Sequence, residues 1–151
     1  MLQDIKVVEV KEQPVLSIRE TTSMQSIPQK MGEIFSEIFT LMQKNKIAPV
    51  GPPFAYWHDM TGDKIDMECG FPVSGSAKGE GRIKSSKLPG GKVATALHIG
   101  PYDKLAEAYK AVESWIRDNG YHIAGNSWEA YLSMPDEAPS KIRTQIYWRV
   151  K

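Results

Sequence analysis

Glu129 stands in the run Asn126-Ser127-Trp128-Glu129-Ala130-Tyr131-Leu132, which reads as part of a strand. Side chains alternate across a strand, so Glu129 and Tyr131 share one face. A carboxylate beside an aromatic ring can hold a cation through its charge and through the ring quadrupole together. If it is buried, its pKa should rise, which would make it a credible proton donor or acceptor. The pattern alone leaves two settings open: beneath a helix, or on the solvent face of a sheet, where a glutamate is ordinary.

Further residues extend this candidate. Glu68 stands on an earlier strand at a position matching Gln145, and Tyr147 lies two residues beyond Gln145 on the same face of its strand. Trp57 matches Tyr131, and Tyr56 adjoins it. A floor of Glu68, Glu129, Trp57, Tyr131, Gln145 and Tyr147 would combine flat aromatic surface with acidic groups, which suits cationic or polarisable apolar ligands. Other residue types offer less. His58, His98 and His122 have no ligand spacing with one another or with Cys69, and zinc needs three or four convergent ligands, so no metal is expected. No serine sits in a nucleophile elbow and no glycine-rich phosphate loop follows a strand, so no cofactor is expected either.

The elements that must position these residues follow from periodicity. Short β-rich runs over 7–10 and 15–18, broken at Glu12-Gln13-Pro14, predict a strand pair. Met31, Ile34, Phe35, Ile38, Phe39, Leu41 and Met42 fall on one helical face. Ser26 with Gln29 predicts a capping box, and Pro28 suits the first turn. Strands are expected over 54–60 and 65–73 around Thr61-Gly62-Asp63, then a glycine-rich connector over 74–81. Strands over 82–88 and 92–99 flank Pro89-Gly90-Gly91, a hairpin signal. A second helix carries Leu105, Ala108, Tyr109, Val112, Trp115 and Ile116 on its apolar face and stops at Asn119-Gly120. Strands over 128–134 and 141–150 complete the chain.

The halves superimpose by counting. At an offset of about 74, Phe35 meets Tyr109, Ile38 meets Val112, Phe54 meets Trp128, Ala55 meets Glu129, Trp57 meets Tyr131 and Met60 meets Met134. After a shift of about three, Phe71 meets Trp148. This is an internal duplication. It predicts one α+β domain over 1–151, with pseudo-repeats of about 1–73 and 82–151. Two ββαββ units would give an eight-stranded, mostly antiparallel sheet with two helices on one face and a central cleft, a favoured setting for small ligands.

The runs Gly51-Pro52-Pro53-Phe54-Ala55-Tyr56, Leu88-Pro89-Gly90-Gly91-Lys92-Val93-Ala94 and His98-Ile99-Gly100-Pro101-Tyr102 resemble the GyrI-like small-molecule-binding family. So do Trp115-Ile116-Arg117-Asp118-Asn119-Gly120-Tyr121 and Trp128-Glu129-Ala130-Tyr131, and the likeness runs over nearly the whole chain. That family includes the effector-binding domains of MerR-type and AraC-type multidrug-responsive regulators. The resemblance implies an aromatic pocket with an acidic residue at its base, matched here by Glu129, with Tyr102 and Tyr147 as weaker carry-overs. It implies a protein that holds lipophilic, often cationic compounds. A hydrolase of cyclopropane-bearing electrophiles, using Glu129 and Tyr102 as catalytic groups, is the alternative. A gyrase-directed protein interaction is the third.

Composition sets the outer limits. The 151 residues suffice for one domain, and 41% hydrophobic with 25% charged residues is ordinary for a globular chain. Nineteen basic and eighteen acidic residues give a net charge of +1, which supplies no field for direct nucleic-acid binding. Nor does the sequence show room for a DNA-reading helix-turn-helix. No run approaches the roughly 18 to 20 apolar residues needed to cross a bilayer. With one cysteine and no leader-like start, a cytoplasmic location is expected.

Overall fold

A computed structural model describes residues 1–133 and 136–151. In chain order the elements are β1 (Leu2–Val10), β2 (Gln13–Thr22), α1 (Ile27–Lys44), β3 (Phe54–Thr61), β4 (Lys64–Pro72), β5 (Lys84–Leu88), β6 (Gly91–Ile99), α2 (Leu105–Asp118), β7 (Ile123–Tyr131) and β8 (Arg143–Val150). Short 3-10 turns at Met24–Ser26 and Tyr102–Lys104 lead into the two helices. The α+β class, the eight antiparallel strands and the two helices agree with the sequence expectation.

The chain forms two compact units. The central unit is Glu12–Pro89, with strands in the order β3-β4-β2-β5. The C-terminal unit joins Met1–Lys11 to Gly90–Lys151, with the order β1-β6-β8-β7. Each helix lies on strands of its own unit because its apolar stripe has nowhere else to leave water. In α1, Ile34, Ile38, Leu41 and Met42 are buried, spaced by four, three and one as one helical face requires, and the helix packs on β2 and β4. In α2 the buried residues are Ala108, Val112 and Ile116, and the last two join Ala94, Ala96 and Val150 of β6 and β8 in one core cluster.

Two hairpins expected from the sequence do not form. β1 pairs with β6, from Leu2 opposite His98 to Val10 opposite Gly91, rather than with β2. β5 pairs with β2, from Gln13 opposite Leu88 to Ser17 opposite Lys84, rather than with β6. Glu12-Gln13-Pro14 and Pro89-Gly90-Gly91 therefore mark where the chain leaves one unit for the other. Turn residues encode a local break, whereas the partner of a strand is chosen by the apolar face it must cover. The glycine-rich stretch over 74–81, expected to join the halves, lies inside the central unit.

Local chemistry fares better. Asn45 and Asn119 cap the C-terminal ends of the helices, and Gly120, at φ 82°, takes the left-handed turn that follows α2. Pro28 sits in the first turn of α1, but Ser26 makes no side-chain capping bond. The capping hydroxyl is that of Ser23, which accepts from the Ser26 amide at 3.3 Å and so holds the preceding 3-10 turn. β7 begins at Ile123, ahead of the expected 128, and the expected strand end at Met134 lies outside the described residues.

Candidate functional site

The ladders of the C-terminal unit arrange its helix-covered face as three rows of three. Ala94, Trp148 and Ser127 form one row across β6, β8 and β7; Ala96, Ile146 and Glu129 form the next; His98, Thr144 and Tyr131 form the third. Packing of Ala94, Ala96 and Trp148 with Val112 and Ile116 shows that this is the face under α2. Glu129 thus lies beneath the helix, and only 4% of it is exposed.

A buried carboxylate is costly unless its oxygens are hydrogen-bonded. Here the Tyr109 hydroxyl donates to Oε1 and the Tyr131 hydroxyl to Oε2, each at 2.8 Å. Tyr131 comes from the same strand face, two residues along. Tyr109 comes from α2, beside buried Ala108, and its ring meets Trp148 edge-on at 5.7 Å. Tyr102 closes the group from the 3-10 turn before α2, with its ring edge-on to Tyr131 at 6.0 Å. It remains half exposed. Burial pushes the Tyr102 hydroxyl pKa up, and the negative charge of Glu129 adds to the effect, so the group stays protonated. Together these residues make an anionic centre surrounded by four aromatic rings. Such a centre can accept a cation or a hydrogen-bond donor, and it can move a proton.

The floor expected from the sequence separates into different places. Glu129, Tyr131 and Tyr102 come together. Gln145 and Tyr147 do not join them, because Glu129 stands opposite Ile146, which sends both neighbours of Ile146 to the other face. There Tyr147 stacks on Trp128 at 5.5 Å and 14°, and Gln145 donates to the Thr95 hydroxyl at 2.7 Å. Burial raises the Tyr147 pKa. Trp57 belongs to the central unit and lies on the face under α1, opposite Met67 and in line with Phe71, which meets Phe35 of α1.

Tyr56 and Glu68 share the face of the central unit turned away from α1. Glu68 is served by the Ser17 hydroxyl at 2.5 Å and His58 Nε2 at 2.7 Å, and the Tyr56 ring leans on His58 at 4.7 Å. Burial alone would raise the Glu68 pKa, but hydrogen bonds from Ser17, His58 and Ser86 outweigh it and hold the carboxyl below its ordinary range. Sequence reasoning missed Tyr109 as a site residue. The available signal was a tyrosine where the other copy has Phe35, one added hydroxyl on an otherwise equivalent helix face.

Among the described residues no group of three or more His, Cys, Asp or Glu side chains is placed to hold a metal ion. Among the described residues no helix is long and apolar enough to cross a membrane.

A family model described as the GyrI-like small molecule binding domain matches residues 3–151. A crystal structure of the EcmrR C-terminal domain is similar, with TM-score 0.85 and 25% identity over 98% of this chain and 97% of that one. An EcmrR–DNA complex matches with TM-score 0.85 and 26% identity over 99% of this chain, which spans 57% of the length of EcmrR there. Two more distant structures share the fold. SAV2435 bound to tetraphenylphosphonium has TM-score 0.66 and 14% identity, covering 99% of this chain and 94% of that one. A hydrolase from Listeria innocua has TM-score 0.71 and 13% identity, covering 97% and 91%. The comparison with curated proteins finds no match.

Proposed function

Because the chain belongs to the GyrI-like small-molecule-binding domain family, we propose that it holds lipophilic, aromatic or cationic compounds against the helix-covered face of its C-terminal unit, with Glu129 as the anionic anchor. The observation that carries this reading is the buried Glu129 carboxylate, held by two tyrosine hydroxyls among aromatic rings. A core position that served packing alone would be filled by a hydrocarbon side chain, as Ala55 fills the matching place in the central unit. A cation that approaches Glu129 gains charge pairing and ring contact in a site already shielded from water. That SAV2435 is similar in fold and bound to tetraphenylphosphonium supports this choice of ligand class. The reading treats residues 1–151 as one duplicated domain and places it in a reducing cytoplasm, where the lone buried Cys69 is stable as a thiol.

Titration with tetraphenylphosphonium, followed by tryptophan emission, tests the reading. Trp148 lies on the same face as Glu129, one row away from it, so an occupied site changes its environment. Saturable binding is expected, weakened about 10-fold or more in Glu129→Gln, the loss of one charge-assisted contact. Affinity unchanged by that substitution would remove Glu129 from the site.

One further reading has an observation of its own. Tyr102 is held protonated beside the Glu129 group, the pairing needed if Glu129 positions water and Tyr102 gives a proton to a leaving carbon. Similarity to a Listeria hydrolase is in keeping with it. Turnover of a cyclopropane-bearing electrophile, abolished in Glu129→Gln, would favour catalysis over simple binding.

A further inference from the structure

The third row of the same face contains two buried polar side-chain atoms that have no hydrogen-bond partner among the described residues. His98 and Thr144 are direct cross-strand partners on β6 and β8, so their side chains rise side by side from one face. His98 is 3% exposed and Thr144 0%. His98 Nδ1 and Thr144 Oγ1 are both buried and have no hydrogen-bond partner among the described residues. Buried polar atoms are nearly always paired, because an unpaired one forfeits its bonds to water. Two orphans in adjacent positions are therefore kept at the expense of stability.

Their setting suggests what they are kept for. Thr144 is also the direct cross-strand partner of Tyr131, which donates to Glu129. The next row is Ala96, Ile146 and Glu129, so the orphan pair is one step along the sheet from the carboxylate. Burial lowers the His98 pKa, so the imidazole is neutral at pH 7. A neutral imidazole nitrogen and a threonine hydroxyl can each pair with an uncharged group.

We propose that His98 and Thr144 form a second polar anchor of the ligand site, binding a neutral hydroxyl or carboxamide of the ligand while Glu129 binds its cationic end. The preferred ligand is then bifunctional, with a cation and an uncharged hydrogen-bonding group on one rigid apolar frame. This rests on the reading that the helix-covered face of the C-terminal unit holds the ligand.

Two phosphonium cations supply the test: tetraphenylphosphonium and its analogue with one 4-hydroxyphenyl ring. In the wild type the hydroxylated cation should bind about 5- to 10-fold tighter, the worth of one hydrogen bond to a buried partner. Thr144→Val should abolish that preference, while Thr144→Ser, which keeps the hydroxyl, should retain it. Equal affinities in the wild type, or a preference that survives Thr144→Val, overturns the proposal. The melting temperature of the ligand-free protein gives an arm that needs no binding. Thr144→Val removes an unsatisfied hydroxyl and should raise it by about 2–4 °C. A fall would show that the hydroxyl has an internal partner and would overturn the proposal. If neither cation binds while the melting temperature rises, the lipophilic-cation reading fails and the orphan pair stands.

Discussion

The two units place the same kinds of element under the same kind of helix and fill them with different chemistry. Between α1 and its strands, the central unit has Phe35 from the helix and Ala55, Trp57 and Phe71 from the strands. At the matching positions the C-terminal unit has Tyr109 from α2 and Glu129, Tyr131 and Trp148 from its strands. Aromatic surface is common to both, whereas the carboxylate and the two hydroxyls that satisfy it occur in one. On the opposite faces the distribution reverses, with Glu68 in the central unit where the C-terminal unit has Gln145. A duplicated scaffold thus lets one copy keep a hydrocarbon core while the other bears a buried charge. Two tyrosine hydroxyls that the central unit lacks at the matching positions accompany that charge.

That pairing is broken most severely by moving the carboxylate alone. Ala55 is fully buried, and Phe35, the counterpart of Tyr109, has no hydroxyl to offer. Ala55→Glu should therefore destabilise the protein by about 3–5 kcal/mol, the scale for an uncompensated buried charge. Urea denaturation measures it. Adding Phe35→Tyr should restore part of the loss, and a double substitution no better than the single one would show that the hydroxyl is not what makes the glutamate tolerable.

The reverse change is smaller. Tyr109→Phe gives the C-terminal unit the residue of the central one and removes one of the two tyrosine donors to Glu129. The expected cost is about 1.5–3 kcal/mol, as for a hydrogen bond to a charged group. In a Glu129→Gln background the same substitution should cost clearly less, because the acceptor is no longer charged, and the double-mutant cycle reads the coupling directly. Additive costs would mean that Tyr109 serves packing against Trp148 alone.

The contrast also explains what was legible in the sequence. Helix faces were, because a 3.6-residue period is written in one segment and Ile34, Ile38, Val112 and Ile116 mark it unambiguously. The shared face of Glu129 and Tyr131 was legible for the same reason, since alternation belongs to a single strand. The face of Gln145 and Tyr147 relative to Glu129 was not. It depends on whether Glu129 stands opposite residue 145 or 146, and a slip of one residue exchanges the two faces of a strand. The partners of β1 and β5 were hidden likewise, because the apolar surface each covers is contributed by residues far along the chain. His98 was visible as a histidine without metal spacing and as the start of the run that ends in Gly100-Pro101-Tyr102; its place beside Thr144 is again a matter of register.

The smallest expected effect concerns the opposite faces. Glu68 is held below its ordinary pKa, because bonds from Ser17, His58 and Ser86 outweigh the burial that would raise it. A carboxyl whose folded pKa lies below its unfolded one stabilises the protein above the unfolded value, and loses that contribution as pH falls through the folded value. Wild-type stability should therefore decline below about pH 4.5, the unfolded reference for a glutamate. In Glu68→Gln the decline over this window should be shallower. Gln145, its counterpart, does not titrate, so Gln145→Ala should leave the slope unchanged whatever it does to stability at neutral pH. A wild-type acid limb identical to that of Glu68→Gln would mean that the bonds to Glu68 are matched in the unfolded chain, and would cancel this half of the contrast between the units.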